Sequence, residues 1–143
     1  MTAATQALAA TAWKKANYVN SGGGALRVHA FDAVTVATTA IDEQDDIFEI
    51  GYLPAGITVH GFIVKATDMD TGSAALVTKI RLNGVDLVTG VTSGQTGVTT
   101  TAFYCAPTAT AGYELVDFKV TTAAATAAQG TVTVRVLYTA AAA

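Results

Sequence analysis

Several features that define common classes of protein are scarce in this chain of 143 residues. Charged residues make up 13% of it, about half of the share that is usual in soluble domains. Only 8 residues are Lys or Arg and the formal net charge is −3, so the basic stripe that neutralises nucleic-acid phosphates is missing. No run of about 18 apolar residues is present to span a membrane as a helix. We therefore expect neither nucleic acid nor a membrane as a partner.

Cysteine and histidine are also scarce, which limits the chemistry that the chain can perform. The single cysteine, Cys105, has no partner for an internal disulfide, as expected of a protein that folds in a reducing cytosol. His29 and His60 are the only histidines, and neither has a second His or Cys at metal-ligand spacing. No serine lies in a nucleophile-elbow motif. The sequence therefore predicts no catalytic residues, no metal and no cofactor, and an enzyme is the least expected class.

Alanine and threonine are abundant, with 29 and 24 residues. Hydrophobic residues reach 51% of the chain, which excludes a disordered charged tail. The length is sufficient for one domain with its own core. A surface with little charge and much threonine suggests that a large part of this protein touches other protein.

The first 24 residues differ in composition from the rest. They are rich in Ala and Thr and end in three glycines, Gly22–Gly24, whose backbone freedom is typical of a flexible joint. We predict an N-terminal arm over residues 1–24 and a β-sandwich domain over residues 25–143. Residues 6–16 have the composition for a short helix. Two interpretations of the arm stay open: a frayed terminus, or a segment that docks on a neighbouring subunit through Trp13 and Tyr18.

From residue 25 onward, short alternations of apolar and polar residues are separated by Gly, Pro, Asn and Asp, a pattern typical of strands and turns. The alternation of strands and helices that marks a parallel α/β sheet is missing. We therefore predict an all-β fold, an antiparallel β-sandwich of about eight strands of the jelly-roll type. The predicted strands cover residues 26–30, 33–39, 46–52, 57–67, 73–82, 85–88, 98–104, 114–121 and 131–139.

Asn83-Gly84 is the sharpest turn signal, because this pair favours a two-residue type I′ hairpin. The hairpin pairs Leu82 with Val85 and Ile80 with Leu87, and it places all four side chains on one face. A Leu-Pro-Ala-Gly turn at residues 53–56 and an irregularity at Gly61 are further predictions.

Three loops carry candidate binding groups. Residues 42–46 are mostly acidic and are predicted to form a solvated loop that offers a place for basic groups of a partner. Asp68 and Asp70 resemble the start of a calcium loop but lack its later ligands, so an ordinary turn is the favoured interpretation. Residues 88–101 are predicted to form a long, flexible Gly/Thr/Ser loop, a candidate for contact or for disorder.

Three turn and strand motifs resemble those of small virion proteins of tailed bacteriophages. The run from Asp46 to Gly56 leads a strand into the Leu-Pro-Ala-Gly turn, and a second strand ends in Asp-Met-Asp-Thr-Gly at residues 68–72. Residues 121–139, with Gly-Thr-Val-Thr-Val and a closing Leu-Tyr-Thr, are similar to the end of the same proteins. The similarity covers residues 45–139 and carries no catalytic residues.

This resemblance implies a jelly-roll protein of the phage particle, made in the host cytoplasm. It implies a head decoration or cement protein that binds the major capsid protein and stabilises the shell, as a homotrimer. Two alternatives stay open: another virion component, such as a head fibre base or a tail protein, and a carbohydrate-binding jelly-roll module. The residues expected to contact partners are Trp13, Lys14, Tyr18, Gly22, Gly23, Gly24, Thr92 and Gln95.

Overall fold

The computed structural model describes residues 3–6 and 26–140, which form two five-stranded sheets. The predicted all-β sandwich is confirmed, and the jelly-roll type is compatible with it. Nine of the ten strands correspond to predicted segments, and the tenth, β1, lies in the predicted arm. In the described residues no helix is long and apolar enough to cross a membrane. The strands are β1 (Thr5–Gln6), β2 (Leu26–Ala30), β3 (Val34–Val36), β4 (Ile47–Leu53), β5 (Ile57–Ala66), β6 (Val77–Leu82), β7 (Val85–Val91), β8 (Thr99–Ala109), β9 (Glu114–Thr122) and β10 (Gly130–Ala140).

Sheet A has the strand order β1-β4-β9-β6-β7, and β1 is parallel to β4. The side chain of Gln6 connects β1 to β3 and to the residue after it. Its Nε2 donates to the carbonyl oxygen of Thr35 at 2.8 Å, and its Oε1 accepts from the N–H of Ala37 at 2.9 Å. Residues 3–6 of the predicted arm therefore pack on the sandwich, and Gln6 is in a strand instead of a helix. The rest of the arm, residues 7–24, lies outside the described residues, so the division at residue 24 stays a prediction.

The hairpin of sheet A has the predicted turn and a different register beyond it. Residues 83 and 84 have positive φ angles of 51° and 78°, as a type I′ turn requires. Leu82 lies opposite Val85 as predicted, but Ile80 lies opposite Val88, one residue later than predicted. An irregularity in the ladder inserts one extra residue into β7. The predicted apolar face was wrong for this strand, because Val85 is exposed and Val88 is buried.

Sheet B has the strand order β2-β10-β5-β8, and β3 pairs with the first part of β10. The predicted irregularity at Gly61 is confirmed, since the register of β5 shifts between Val59 and Gly61. Strand β8 does not end at Tyr104 as predicted but continues to Ala109. Pro107 lies in its unpaired middle stretch, where the missing N–H removes no hydrogen bond of the ladder.

The core lies between the sheets and consists of their inner side chains together with buried side chains of the connections. Phe48 of β4 and Phe118 of β9 stack at its centre, with ring centroids 5.0 Å apart. Strict alternation from Phe48 and Ile50 would place Tyr52 in the core, but a register shift in the middle of β4 places Leu53 there instead. The buried side chains include Val36, Ile41, Phe48, Ile50, Leu53, Ile57, Phe62, Val64, Met69, Leu76, Ile80, Leu82, Val116, Phe118, Val132, Val134 and Val136.

The predicted flexible loop over residues 88–101 was wrong in extent. Its first and last residues belong to β7 and β8, which leaves a connection over residues 92–98. This connection is packed against the rest of the domain, because Ser93 and Gly94 are buried. The carbonyl oxygen of Gly94 accepts the N–H of Met69 at 2.8 Å.

Candidate interaction surface

The residues that the sequence singled out for contact fall into two groups. Thr92 and Gln95 lie in the packed connection 92–98, where the N–H of Gln95 donates to the carbonyl oxygen of Thr92 at 3.1 Å. Thr92 is exposed and Gln95 is half-buried. Their role in contact stays a prediction. The other predicted contact residues lie outside the described residues: Trp13, Lys14, Tyr18, Gly22, Gly23 and Gly24.

Asp70 is a buried carboxylate that joins two loops. Its side chain lies between the β5–β6 and β9–β10 connections, and the residue is 1% exposed. Oδ2 accepts the N–H groups of Ala75 at 2.8 Å, Leu76 at 3.0 Å and Ala125 at 3.2 Å. Oδ1 accepts the N–H of Thr126 at 2.9 Å. The carboxylate therefore satisfies four backbone donors that the loops leave free.

These donors set the charge state of Asp70. Burial by itself would raise its pKa, but the four N–H donors outweigh burial and hold the pKa at about 2. Asp68 is the simpler turn residue, since its Oδ1 accepts the N–H of Asp70 at 3.1 Å. The turn interpretation of this motif was thus incomplete for Asp70, which connects two distant loops. Over the described ranges, no group of three or more His, Cys, Asp and Glu is arranged to hold a metal ion.

The acidic loop over residues 42–46 also differs from the prediction. Asp46 is buried, with Oδ1 accepting the N–H of Ala4 at 2.9 Å and Oδ2 accepting the N–H of Glu43 at 3.0 Å. It holds the N-terminal strand in place and is not available to a partner. Only part of the predicted solvated loop is therefore solvated.

The two histidines and the cysteine lie in strands of sheet B. Burial lowers the pKa of His29, and the charge of Asp32 opposes that shift in part. The Nε2 of His60 lies 3.1 Å from the Oγ1 of Thr139. Burial raises the pKa of the Cys105 thiol, which disfavours the nucleophilic thiolate.

Charged residues are divided unequally between the two sheets. The strands of sheet B contain no Asp or Glu, whereas they contain three basic residues and both histidines. The strands of sheet A carry both signs. Although the whole chain is acidic, one sheet is therefore purely basic. The basic residues of sheet B are Arg27, Lys65 and Arg135; the charged residues of the sheet A strands are Glu49, Lys79, Arg81, Asp86, Glu114, Asp117 and Lys119.

The outer surface of sheet B, which we call face B, carries a row of apolar side chains. Cross-strand pairing places Val28, Leu137, Gly61 and Tyr104 side by side across all four strands. Val28 is 55% exposed and Tyr104 is 75% exposed, while Leu26, on the same face of β2, is 62% exposed. Gly61 allows β8 to approach closely, since a Cβ atom there would lie 2.5 Å from the carbonyl oxygen of Phe103 and 3.3 Å from the Cδ1 of Tyr104. Exposed apolar side chains gathered on one face are typical of an interaction site.

A shallow cleft borders this row. It has a volume of about 250 Å³, and basic side chains form part of its wall. Lys65 is paired with Thr133 across the sheet, and Arg135 lies two residues further along β10, so the two cations are diagonal neighbours. Neither cation has an ion pair within the described residues. The cleft is lined by Ile63, Lys65, Thr100, Thr133 and Arg135.

On the outer surface of sheet A, which we call face A, each basic side chain of the strands lies near an acidic side chain. Arg81 donates from Nε and Nη2 to the two carboxylate oxygens of Asp117, each at 2.8 Å. This hydrogen bonding is the main reason why the pKa of Arg81 is raised. Lys79 and Lys119 also have acidic partners. The Nζ of Lys79 lies 2.9 Å from the Oδ2 of Asp86, and the Nζ of Lys119 lies 3.5 Å from the Oδ1 of the loop residue Asp45.

Sequence reasoning missed face B because it looked for motifs and for exposed loops. One signal was present in the sequence: the strands now assigned to sheet B contain no acidic residue. The row that joins Val28 to Tyr104 needs the strand order and the register, which link residues far apart in the chain. Face B presents exposed apolar and basic side chains.

Comparison with solved structures shows where this arrangement of strands occurs. A chain of the cyanophage Pam1 capsid asymmetric unit is similar, with a TM-score of 0.66 and 23% identity over 93% of this chain and 99% of that one. The fold occurs in phage capsids. A chain of the capsid of Ralstonia phage GP4 is also similar, with a TM-score of 0.66 and 20% identity over 88% of this chain and 91% of that one. No family model matches the chain, and no curated protein matches it in sequence.

Proposed function

We propose that this protein is a non-catalytic structural protein of a phage virion, and that its role is head decoration. The observation that carries the proposal is the likeness to chains of two phage capsids, which covers 99% and 91% of those chains. The similarity therefore extends over nearly the whole of each neighbour instead of one domain within a larger protein. In this proposal the protein binds the major capsid protein on the surface of the head and acts as a cement.

A cement protein stabilises a shell by adding buried area across the joints between capsid subunits. Each interface need only be modest, because several are engaged at once and the first contact of a bound copy raises the effective concentration for its next contact. Face B supports this role: it offers exposed apolar side chains, and its Lys65 and Arg135 have no ion pair among residues 3–6 and 26–140. We also propose a homotrimer as the unit that binds.

The predicted arm contributes a second set of contacts in this proposal. Trp13 and Tyr18 supply aromatic side chains of the kind that carry much of the energy in protein interfaces. Strand β1 fastens the start of the arm to β4, and β2 follows its end. Deletion of residues 1–24 removes these contacts together with β1, and it is expected to weaken attachment while strands β2 to β10 stay paired.

The decisive experiment incubates the purified protein with shells of the major capsid protein encoded in the same genome, followed by sedimentation and cryo-EM. Binding to the outer surface of the head at regular positions is the expected result. Density only at the neck or the tail would replace decoration by another virion role, such as a head fibre base. Light scattering of the free protein tests the trimer, whose mass is three times the 14.5 kDa of one chain. A glycan array with competable hits would favour a carbohydrate-binding module instead.

A further inference from the structure

Lys65 and Arg135 are two neighbouring cations that form no ion pair with the described residues of the chain. They are diagonal neighbours on adjacent strands, a relation that places the two residues roughly 7–8 Å apart and their Cβ atoms somewhat closer. Both are exposed, and neither has an ion pair within residues 3–6 and 26–140. Two cations without an acid between them repel each other, so their proximity does not stabilise the isolated domain.

The surroundings of the pair favour a protein partner. Ile63 lines the same cleft, and the row from Val28 to Tyr104 lies directly beside the row of Arg135. A flat apolar row next to two cations matches a protein surface in which one or more carboxylates stand beside apolar side chains. Lys65 and Arg135 then supply the hydrogen-bond donors that a carboxylate prefers, and Arg135 has the fork geometry for a bidentate pair.

We infer that face B is the docking surface for an acidic protein partner, and that a carboxylate of that partner is held between Lys65 and Arg135. The inference rests on the proposed function, in which this partner is the capsid shell. The exposed side chains of Val28 and Tyr104, which lie on either side of the buried Leu137, pack against the partner around the carboxylate. The occupant is thus defined by its chemistry: an acidic group on a mainly apolar protein surface.

Two other occupants are disfavoured by the charges on the surface. If face B of one copy paired with face B of a second copy, four cations would meet without any acid, because no strand of sheet B carries Asp or Glu. Nucleic acid is disfavoured because the cleft has only two cations and its neighbours are apolar. Phosphate binding of useful affinity requires a larger number of basic contacts.

Charge reversal tests the inference with a matched control. The test variant carries Lys65→Glu and Arg135→Glu on face B. The control carries Lys79→Glu and Lys119→Glu on face A, so both double variants have the same net charge. Binding to shells of the capsid protein is measured by co-sedimentation at several salt concentrations, after thermal melting has shown that each variant folds. Because each reversal also introduces repulsion with the partner's carboxylate, we expect the test variant to bind about 100-fold more weakly and the control to bind within about threefold of the natural chain.

A second measurement reads the contact directly. In carbodiimide coupling, the carbodiimide first activates a carboxylate. An amine that already lies beside this carboxylate then forms an amide with it, and the carbodiimide leaves as its urea, having taken up the water that is lost. We expect mass spectrometry of the coupled complex to identify an amide between Lys65 and an Asp or Glu of the capsid protein. A complex coupled only through other lysines, with Lys65 unmodified, would overturn the inference.

The remaining outcomes separate this inference from the proposed function. If the natural chain binds shells and the face B variant binds equally well, face B is not the docking surface, while decoration stands. Equal losses in both double variants would show a general charge effect and would also overturn the inference. A change in oligomeric mass in the face B variant alone would make this surface a contact between copies. Salt-sensitive binding of duplex DNA that the face B variant loses would make nucleic acid the occupant. If the natural chain binds no shells, both proposals fail.

Discussion

The two outer faces of the sandwich treat charge in opposite ways. On face A, each basic side chain of the strands lies beside an acid, and the Arg81–Asp117 pair is bidentate and largely buried. On face B, Lys65 and Arg135 stand among apolar and threonine side chains, and none of the strands contributes an acid. In the same domain, the basic side chains of face A therefore have acidic partners within the chain, whereas Lys65 and Arg135 of face B have none among the described residues.

This difference separates two uses of a charged side chain. Where a cation has its acid within the chain, removal of either group is expected to affect the folded state. Where a cation has no such partner, its removal is expected to affect association and to leave folding unchanged. Stability and binding measurements on matched variants of the two faces should therefore give opposite results.

The largest expected effect is on face A. Substitution Asp117→Ala leaves Arg81 with 15% side-chain exposure and without its carboxylate, and Asp117 itself has only 6%. Loss of one member of a buried ion pair costs about 3–5 kcal/mol, and the partial exposure of Arg81 places the expected loss near the lower end. Chemical denaturation at pH 7 measures the free energy of unfolding.

A double variant distinguishes the pair from the packing around it. Arg81→Met with Asp117→Leu replaces both charges by apolar side chains and leaves no unpaired group. We expect it to be more stable than Asp117→Ala alone, because buried pairs replaced as a whole are often neutral in stability. If the double variant is as unstable as Asp117→Ala, the loss of stability comes from disturbed packing around the pair and not from the unpaired charge.

Asp70 extends the comparison to the loops, because there the compensating groups are backbone N–H donors. Asp70→Asn replaces one acceptor oxygen by an amide donor that faces these N–H groups. We expect a loss of roughly 2–4 kcal/mol at pH 7, since buried donors without partners are costly. The matched control is Asp68→Asn, which affects the single hydrogen bond from the N–H of Asp70 and should cost about 1 kcal/mol.

The pH dependence of stability provides an independent test of Asp70. Its pKa is about 2 in the folded chain, against an ordinary value of 3.8, so the unfolded chain takes up a proton first as the pH falls. Its contribution is therefore complete above about pH 4 and is lost between about pH 4 and pH 2. Asp70→Asn should remove this part of the acid sensitivity. If the variant loses stability as steeply as the natural chain over that interval, another carboxylate is responsible.

Much of the fold could be predicted from the sequence because local patterns determine it. Alternation in β9 and β10 places Val116, Phe118 and Val134 in the core, and Asn83-Gly84 forms the predicted turn. The errors lie where a ladder contains an extra residue. In β4 and β7 this irregularity reverses which side chains face inward, and single-strand alternation does not reveal it.

The candidate surface was less predictable than the fold. Leu26 and Val28 alternate with Arg27 and His29, yet the apolar pair faces outward and His29 is buried. Face B depends on which strands are neighbours, and the row through Leu137 joins four strands that are far apart in the chain. Asp70 is similar, because two of its four donors become apparent only when the β9–β10 connection is placed beside it.

The smallest expected effect on stability belongs to face B. Arg135→Ala removes an exposed arginine without an ion pair in the described residues, so we expect the free energy of unfolding to change by less than about 0.5 kcal/mol. The same substitution on the other face, Arg81→Ala, leaves Asp117 buried and unpaired and should destabilise the chain strongly. Because Lys65 loses a like-charged neighbour, Arg135→Ala should be relatively more stable at low salt than at high salt. A loss above about 1 kcal/mol would show that the fold uses Arg135 after all. The contrast between the faces would then be one of degree, and the weaker binding of the charge-reversed chain would need a structural explanation.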